Sequence, residues 1–274
     1  MHEGGVHVYQ ITRTPQIVAH RGFSGCYPEN TRAAIEGAIA LGVDMVEVDV
    51  RLSRDRVPVV FHDANLGHVT ACPHRVDALT VGELKMLDIG RWRGNHFRHE
   101  RILTLTEALE VVDKRIPINL DIKTPAAVAP VIAAVQERRM VDSVVLSGCS
   151  WTQARTVRQL EPQLHVLMNV DSLLGTVVRL CSARLALLIS HLQVRFARVT
   201  GLNVSHRVAA DNFIRSASAR NLPVWTWTVD EPARALQLMK LGAISITSNW
   251  PDRIMSAFAT VCPAGDAAKT PRCN

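Results

Sequence analysis

The 274-residue chain has no apolar run able to cross a bilayer: its longest aliphatic runs, residues 185–189 among them, fall far short of the ~20 residues required. Residues 1–16 hold no uninterrupted apolar stretch of signal-peptide length, so a soluble, cytoplasmic protein is expected. Cysteine is thinly scattered at positions 26, 72, 149, 181, 262 and 273, without a C-x-x-C pair or a histidine at zinc-site spacing. That excludes a zinc knuckle, gives no disulfide framework and fits reduced thiols. Lysine is scarce, 5 against 26 arginines, and the basic residues behind the net charge of +6 form no stripe or patch, so nucleic acid is not an expected partner. Oligomeric state is not legible.

What is present is ordinary globular material, 47% hydrophobic and 20% charged, at a length typical of a single α/β barrel. Short β-branched runs alternate with helix-period segments, the pattern of a parallel sheet covered by helices. Candidate strands fall at 16–19, 44–50, 57–61, 116–122, 143–146, 165–169, 201–204, 224–229 and 243–247, nine for the eight places of a (β/α)8 TIM barrel. The segment 201–204 is the one expected to fall outside the ring. Asn30 or Thr31 opens a helix that Gly42 stops, and Asp230 with Pro232 opens another stopped by Gly242. Thr80 with Glu83, and Thr104 with Glu107, have capping-box spacing. Residues 63–101 are too long for a βα loop, so a small insertion is expected after the third strand. The domain then runs over residues 1–261, and residues 262–274 read as a frayed tail.

Strands of a parallel barrel are covered on both faces and should be continuously apolar. Four are not. The first runs into His20-Arg21, the second carries Glu47 and Asp49, the third ends in His62, and the fourth carries Asp121 and Lys123. Unpaired burial of such groups costs several kcal/mol each, on the order of a whole domain's net stability. They must therefore compensate one another or hold an ion. Residues two apart share a strand face, so Glu47 joins Asp49 and Asp121 joins Lys123, all near the C-terminal rim where barrel enzymes keep their chemistry. Three carboxylates without thiol ligands describe a site for a hard divalent cation, with Mg²⁺ expected and Ca²⁺ the alternative. Arg21 and Lys123 suit an anionic phosphodiester. His20 and His62 suit general acid and base work. Taken singly, each of these residues has a bland reading as a hydrogen-bonded histidine or an ion pair; their recurrence on one rim favours a site. Trp225 and Trp227 flank Thr226; Trp227 is the candidate substrate contact, with core packing the alternative. Cys149, lacking a nucleophile-elbow pattern, is expected to be inert.

These residues carry a resemblance to the glycerophosphodiester phosphodiesterase family, enzymes with a PI-phospholipase-C-like TIM barrel. It rests on Ala19-His-Arg-Gly22, Pro28-Glu-Asn-Thr31, Glu47-Val-Asp49, His62-Asp63, Asp121-Ile-Lys123, Val224-Trp-Thr-Trp-Thr-Val229 and the closing segment 242–251. The resemblance implies His20 and His62 as the acid/base pair, Glu47, Asp49 and Asp121 as metal ligands, and Arg21 and Lys123 as phosphate contacts. It implies a small insertion after the third strand, and glycerol 3-phosphate and an alcohol as products. The sequence departs from the family pattern at Asp121, where Glu is commoner; at Gly148, where Phe is usual and whose loss opens the pocket; at His68; and at Ser248-Asn-Trp-Pro251. The rival readings are a phospholipase D-like lysolipid or sphingolipid phosphodiesterase giving a cyclic phosphate, and a non-catalytic phosphate-binding relative.

Overall fold

A computed structural model describes residues 16–170, 199–207 and 211–261; the expected tail, the N-terminal stretch and the mixed connection before residue 199 lie outside the described residues. The turn that shapes the fold is the shortest. Only residues 53–57 separate β2 (Met45–Leu52) from β3 (Pro58–Val60), and parallel neighbours need a crossover of a dozen or more residues. The two strands therefore pair antiparallel, Val50 with Val60 and Leu52 with Pro58. β3 stands outside the ring.

Its place is taken by β4 (Ile118–Ile122), which pairs in parallel with β2. The ring continues through β5 (Val144–Cys149), β6 (His165–Asn169), β7 (Gly201–Ser205), β8 (Val224–Trp227) and β9 (Ser245–Ser248) to β1 (Gln16–Ala19). Parallel pairing of β1 with both β9 and β2 closes it. The fold is thus the (β/α)8 barrel the sequence leads one to expect. The surplus strand was misplaced: 201–204 belongs to the ring, and the third strand in chain order is the outlier.

Helices α1 (Arg32–Leu41), α3 (Leu105–Val112), α4 (Val128–Glu137), α5 (Trp151–Leu160), α6 (Asp211–Ser218), α7 (Pro232–Lys240) and α8 (Pro251–Val261) flank the barrel, while the short α2 (Val81–Lys85) lies in the insertion. Thr31 caps α1 by accepting from the Ala34 N–H, and Gly42 ends it in the left-handed conformation. Both expected capping boxes are present, and Ser150 with Gln153 forms a third before α5. Asp230 does not cap α7, whose N-cap is Glu231; its carboxylate is engaged at the barrel rim.

Three apolar cores result. The largest lies between ring and helices and includes Val48, Leu120, Leu146 and Ile246. A plug inside the barrel is built from Val18, Met45, Val145, Leu167 and Trp225. The third, around Leu66, Leu84, Ile89 and Ile102, belongs to the insertion after β3. None of the described helices is long and apolar enough to cross a membrane. Cys72 and Cys149 are free thiols, but Cys26 is disulfide-bonded, which corrects the expectation of reduced thiols throughout and removes the thiol argument for a reducing cytoplasm.

Candidate active site

Above the apolar plug the inward-facing residues turn polar. Strand register places Asp49 beside Asp121 and Asp121 beside Ser147, with Glu47 and Asn119 paired one step below. Carboxylate oxygens of Glu47, Asp49 and Asp121 come within 4.8 Å of one another, the spacing at which one cation can be shared. The cleft they floor encloses about 340 Å³ and is also lined by His20, Arg21, His62, Lys123 and Trp227. Every candidate site residue but Asp49 lines this one cleft, and Asp49 is buried beside it, within reach of Glu47 and Asp121. Trp225 is instead fully buried in the plug.

Charge in the cleft is unevenly settled. Lys123 Nζ donates to Asp121 Oδ2 at 2.9 Å and stands 2.7 Å from Asp49 Oδ1. Burial opposes its charge, but Asp49, Asp121 and Glu47 outweigh that and raise its pKa. For Asp49, burial is overcome by Lys123, Arg21 and the two histidines, and its pKa falls to about 2. Glu47 fares the other way. Burial, then Asp49 and Asp121, drive its pKa well above the carboxylate range. Its Oε2 accepts the Arg21 backbone N–H at 2.8 Å, while its buried Oε1 has no hydrogen-bond partner. A buried carboxylate with an orphaned oxygen beside two further carboxylates fits a divalent cation.

Arg21 and Asp49 are also held by two groups the sequence did not single out as site residues, Glu29 and Asn30. Arg21 donates from an Nη to Glu29 at 2.8 Å, and its Nε lies 3.2 Å from Asp49 Oδ2. Asn30, at φ 59, donates from its amide to Asp49 Oδ2 at 2.8 Å and accepts the Asp49 N–H at 3.1 Å. Asparagine tolerates this left-handed backbone and can satisfy both halves of Asp49. Pro28-Glu-Asn-Thr31 is legible as a helix entry, but only folding carries Glu29 and Asn30 onto the site. Gly22 is dictated by space: a Cβ there would lie 2.5 Å from the Ala34 backbone.

Each histidine is tied at Nδ1. The His20 nitrogen is 2.7 Å from Asn249 Oδ1, and the Asn249 amide nitrogen donates to Asp230 Oδ2 at 2.7 Å, which fixes the amide's orientation. His20 Nδ1 therefore carries the hydrogen and Nε2 the lone pair. Burial and the neighbouring Arg21 lower its pKa, with Asp49 and Asn249 opposing. His62 Nδ1 lies 2.8 Å from Asp63 Oδ1, and His68 approaches the other Asp63 oxygen at 3.3 Å.

The lining next to the carboxylates is neutral. Asn119, Ser147, Asn169 and Asn203 form it, and the Asn119 carbonyl and Ser147 hydroxyl are buried without partners. Gly148 does not simply open the pocket: it sits at φ +70, and a Cβ would fall 1.9 Å from Asp121 Oδ1. The space belongs to Asp121. Cys149 is buried, which pushes its thiol up to about 12, as an inert cysteine requires.

The glycerophosphoryl diester phosphodiesterase family model matches residues 20–253. The chain belongs to that family. It is accordingly a phosphoric diester hydrolase. A glycerophosphodiester phosphodiesterase of Caldanaerobacter subterraneus subsp. tengcongensis is 28% identical, the match covering 88% of this chain and 96% of that one. One from Bacillus altitudinis is likewise 28% identical, over 87% and 96% of the two chains. Among solved structures, an Oleispira antarctica phosphodiesterase in complex with the product sn-glycerol-3-phosphate superposes with TM-score 0.79 at 27% identity, covering 89% of this chain and 97% of its own.

Proposed function

We propose that the protein hydrolyses glycerophosphodiesters to glycerol 3-phosphate and an alcohol, with Glu47, Asp49 and Asp121 holding a divalent cation. The observation that carries this reading is the pair of histidines, each fixed at Nδ1 and each lining the same carboxylate-floored cleft. His20, neutral and with its lone pair on Nε2, is the general base that takes a proton from the attacking water, whose oxygen stays on the phosphorus of the glycerol 3-phosphate. His62 is the general acid: Asp63 accepts from Nδ1 and stabilises the protonated ring, leaving the Nε2 proton for the departing alkoxide. Arg21 and Lys123 hold positive charge over the phosphate oxygens. The cation, when bound, supplies Lewis-acid polarisation of those oxygens. The shorter arm of Asp121 suits Mg²⁺, which demands a tighter shell than Ca²⁺. Trp227 provides an apolar face for the substrate.

The neutral wall of Asn119, Ser147, Asn169 and Asn203 supports a deacylated glycerol, whose hydroxyls can pair with it, over a lysolipid, whose acyl chain would desolvate it. The test is release of glycerol 3-phosphate from glycerophosphocholine by wild type, His20→Ala and His62→Ala, with Mg²⁺, Ca²⁺ or chelator. Both variants are expected to lose on the order of 10²- to 10⁴-fold in kcat. Unchanged turnover in chelator, or in either variant, would sink the mechanism.

A further inference from the structure

A second cavity, about 320 Å³, lies between the β2–β3 hairpin, the insertion and the start of the β4–α4 loop. Arg51, Arg54, Arg56 and Arg75 line it, with Thr124 and with Asp77 as the one carboxylate among its lining residues. Two of these guanidinium groups are already matched: Arg54 to Glu83 at 3.1 Å, and Arg75 to Asp77 through two hydrogen bonds of 2.8 Å. The other two are not. Neither Arg51 nor Arg56 has a carboxylate within 4.0 Å among the described residues. At the catalytic centre the opposite holds, since Arg21 and Lys123 are each close to two carboxylates.

Arg51 is half-buried, so its missing counter-ion matters. It lies two residues beyond Asp49 on the same strand, and its Nε donates to the backbone carbonyl of His62 at 2.7 Å. The cavity thus combines guanidinium groups that pair with no carboxylate with a direct covalent and hydrogen-bonded link to the catalytic rim.

We infer that this cavity is an oxyanion site, binding a phosphate group either as a second anionic substituent on the alcohol half of the substrate or as a free ion. Guanidinium forks match phosphate geometry, and Arg51 and Arg56 offer the unmatched ones. The substrate form of the inference rests on the hydrolysis proposed above.

The two substrates that test it are glycerophosphocholine and a glycerophosphodiester whose alcohol carries a phosphomonoester. Wild type, Arg56→Gln and Arg139→Gln are compared at about 0.15 M ionic strength, where the Debye length of ~8 Å screens long-range steering. Arg56 is exposed in the hairpin turn, and Arg139 gives the same charge loss beyond the far end of α4. Wild type is expected to favour the doubly phosphorylated substrate in kcat/KM on the order of tenfold. Arg56→Gln should erase that preference without slowing glycerophosphocholine, and Arg139→Gln should keep it. Calorimetric titration of inorganic phosphate into the metal-free proteins separates the sources. Equal rates on the two substrates, with weaker phosphate binding by Arg56→Gln, identify a free oxyanion as the ligand. If wild type and Arg56→Gln agree in both substrate ratio and phosphate affinity, the site is overturned. Absence of hydrolysis of both substrates by wild type would count against the proposed reaction instead, leaving the phosphate titration to judge the cavity.

Discussion

Burial beside Asp49 and Asp121 opposes charge on Glu47, an opposition that the proposed cation would offset. In the metal-free protein its folded pKa exceeds the unfolded one, so it destabilises the fold at pH values above both, and the penalty is relieved as pH falls. Glu47→Gln should therefore raise the melting temperature in chelator by a few degrees, on the order expected for about 1 kcal/mol, and should abolish the rise that Mg²⁺ gives wild type. Thermal scans with and without Mg²⁺ decide it. In the proposed mechanism Asp63 stands one hydrogen bond from the proton-donating His62. Asp63→Asn, which replaces the carboxylate facing His62 Nδ1, should lower kcat on the order of tenfold or more with little change in KM, since the carboxylate orients the His62 ring whose Nε2 proton the leaving group takes. Steady-state kinetics on glycerophosphocholine would show it; a change confined to KM would contradict the role. Of these residues, Glu47 and His62 were legible in sequence as polar intruders on apolar strands. Asn249 and Asp230 were not, because a polar pair in a loop carries no such contradiction.

At the level of elements, the β2–β3 hairpin decides the site. Neighbouring strands are about 4.8 Å apart. Had β3 stood between β2 and β4, Asp121 would lie two strand spacings from Asp49, too far for a shared ligand. The five-residue link 53–57 held that information, since it cannot contain a crossover helix, but periodicity alone does not separate a buried parallel strand from the return arm of a hairpin. The insertion has its own core, so Leu84→Ala, costing about 2–5 kcal/mol locally, should speed amide exchange across residues 61–102 and leave β5 to β8 protected. At β5, Gly148→Ala strains a left-handed residue and drives a methyl into the Asp121 carboxylate. Calorimetry should report weaker Mg²⁺ binding, with stability lowered by about 1 kcal/mol or more.

For the whole molecule, acid sensitivity follows from the buried rim. Asp49 has a folded pKa of about 2, below its unfolded value, so the stability it contributes is present above the unfolded pKa and is lost as pH falls from about 4 towards 2. In metal-free protein the urea midpoint should drop through that window, and Asp49→Asn should flatten the drop. The barrel class, the capping of several helices and the polar residues misplaced on buried strands were legible before folding, because each is written in local spacing, propensity and burial pattern. Which strands close the ring, that β2 and β4 are neighbours, that Asn249 orients His20, and that Arg51 is left without a counter-ion were decided by tertiary structure. Those are relations between residues far apart in the chain. They are fixed by strand register and barrel closure, which no local pattern encodes.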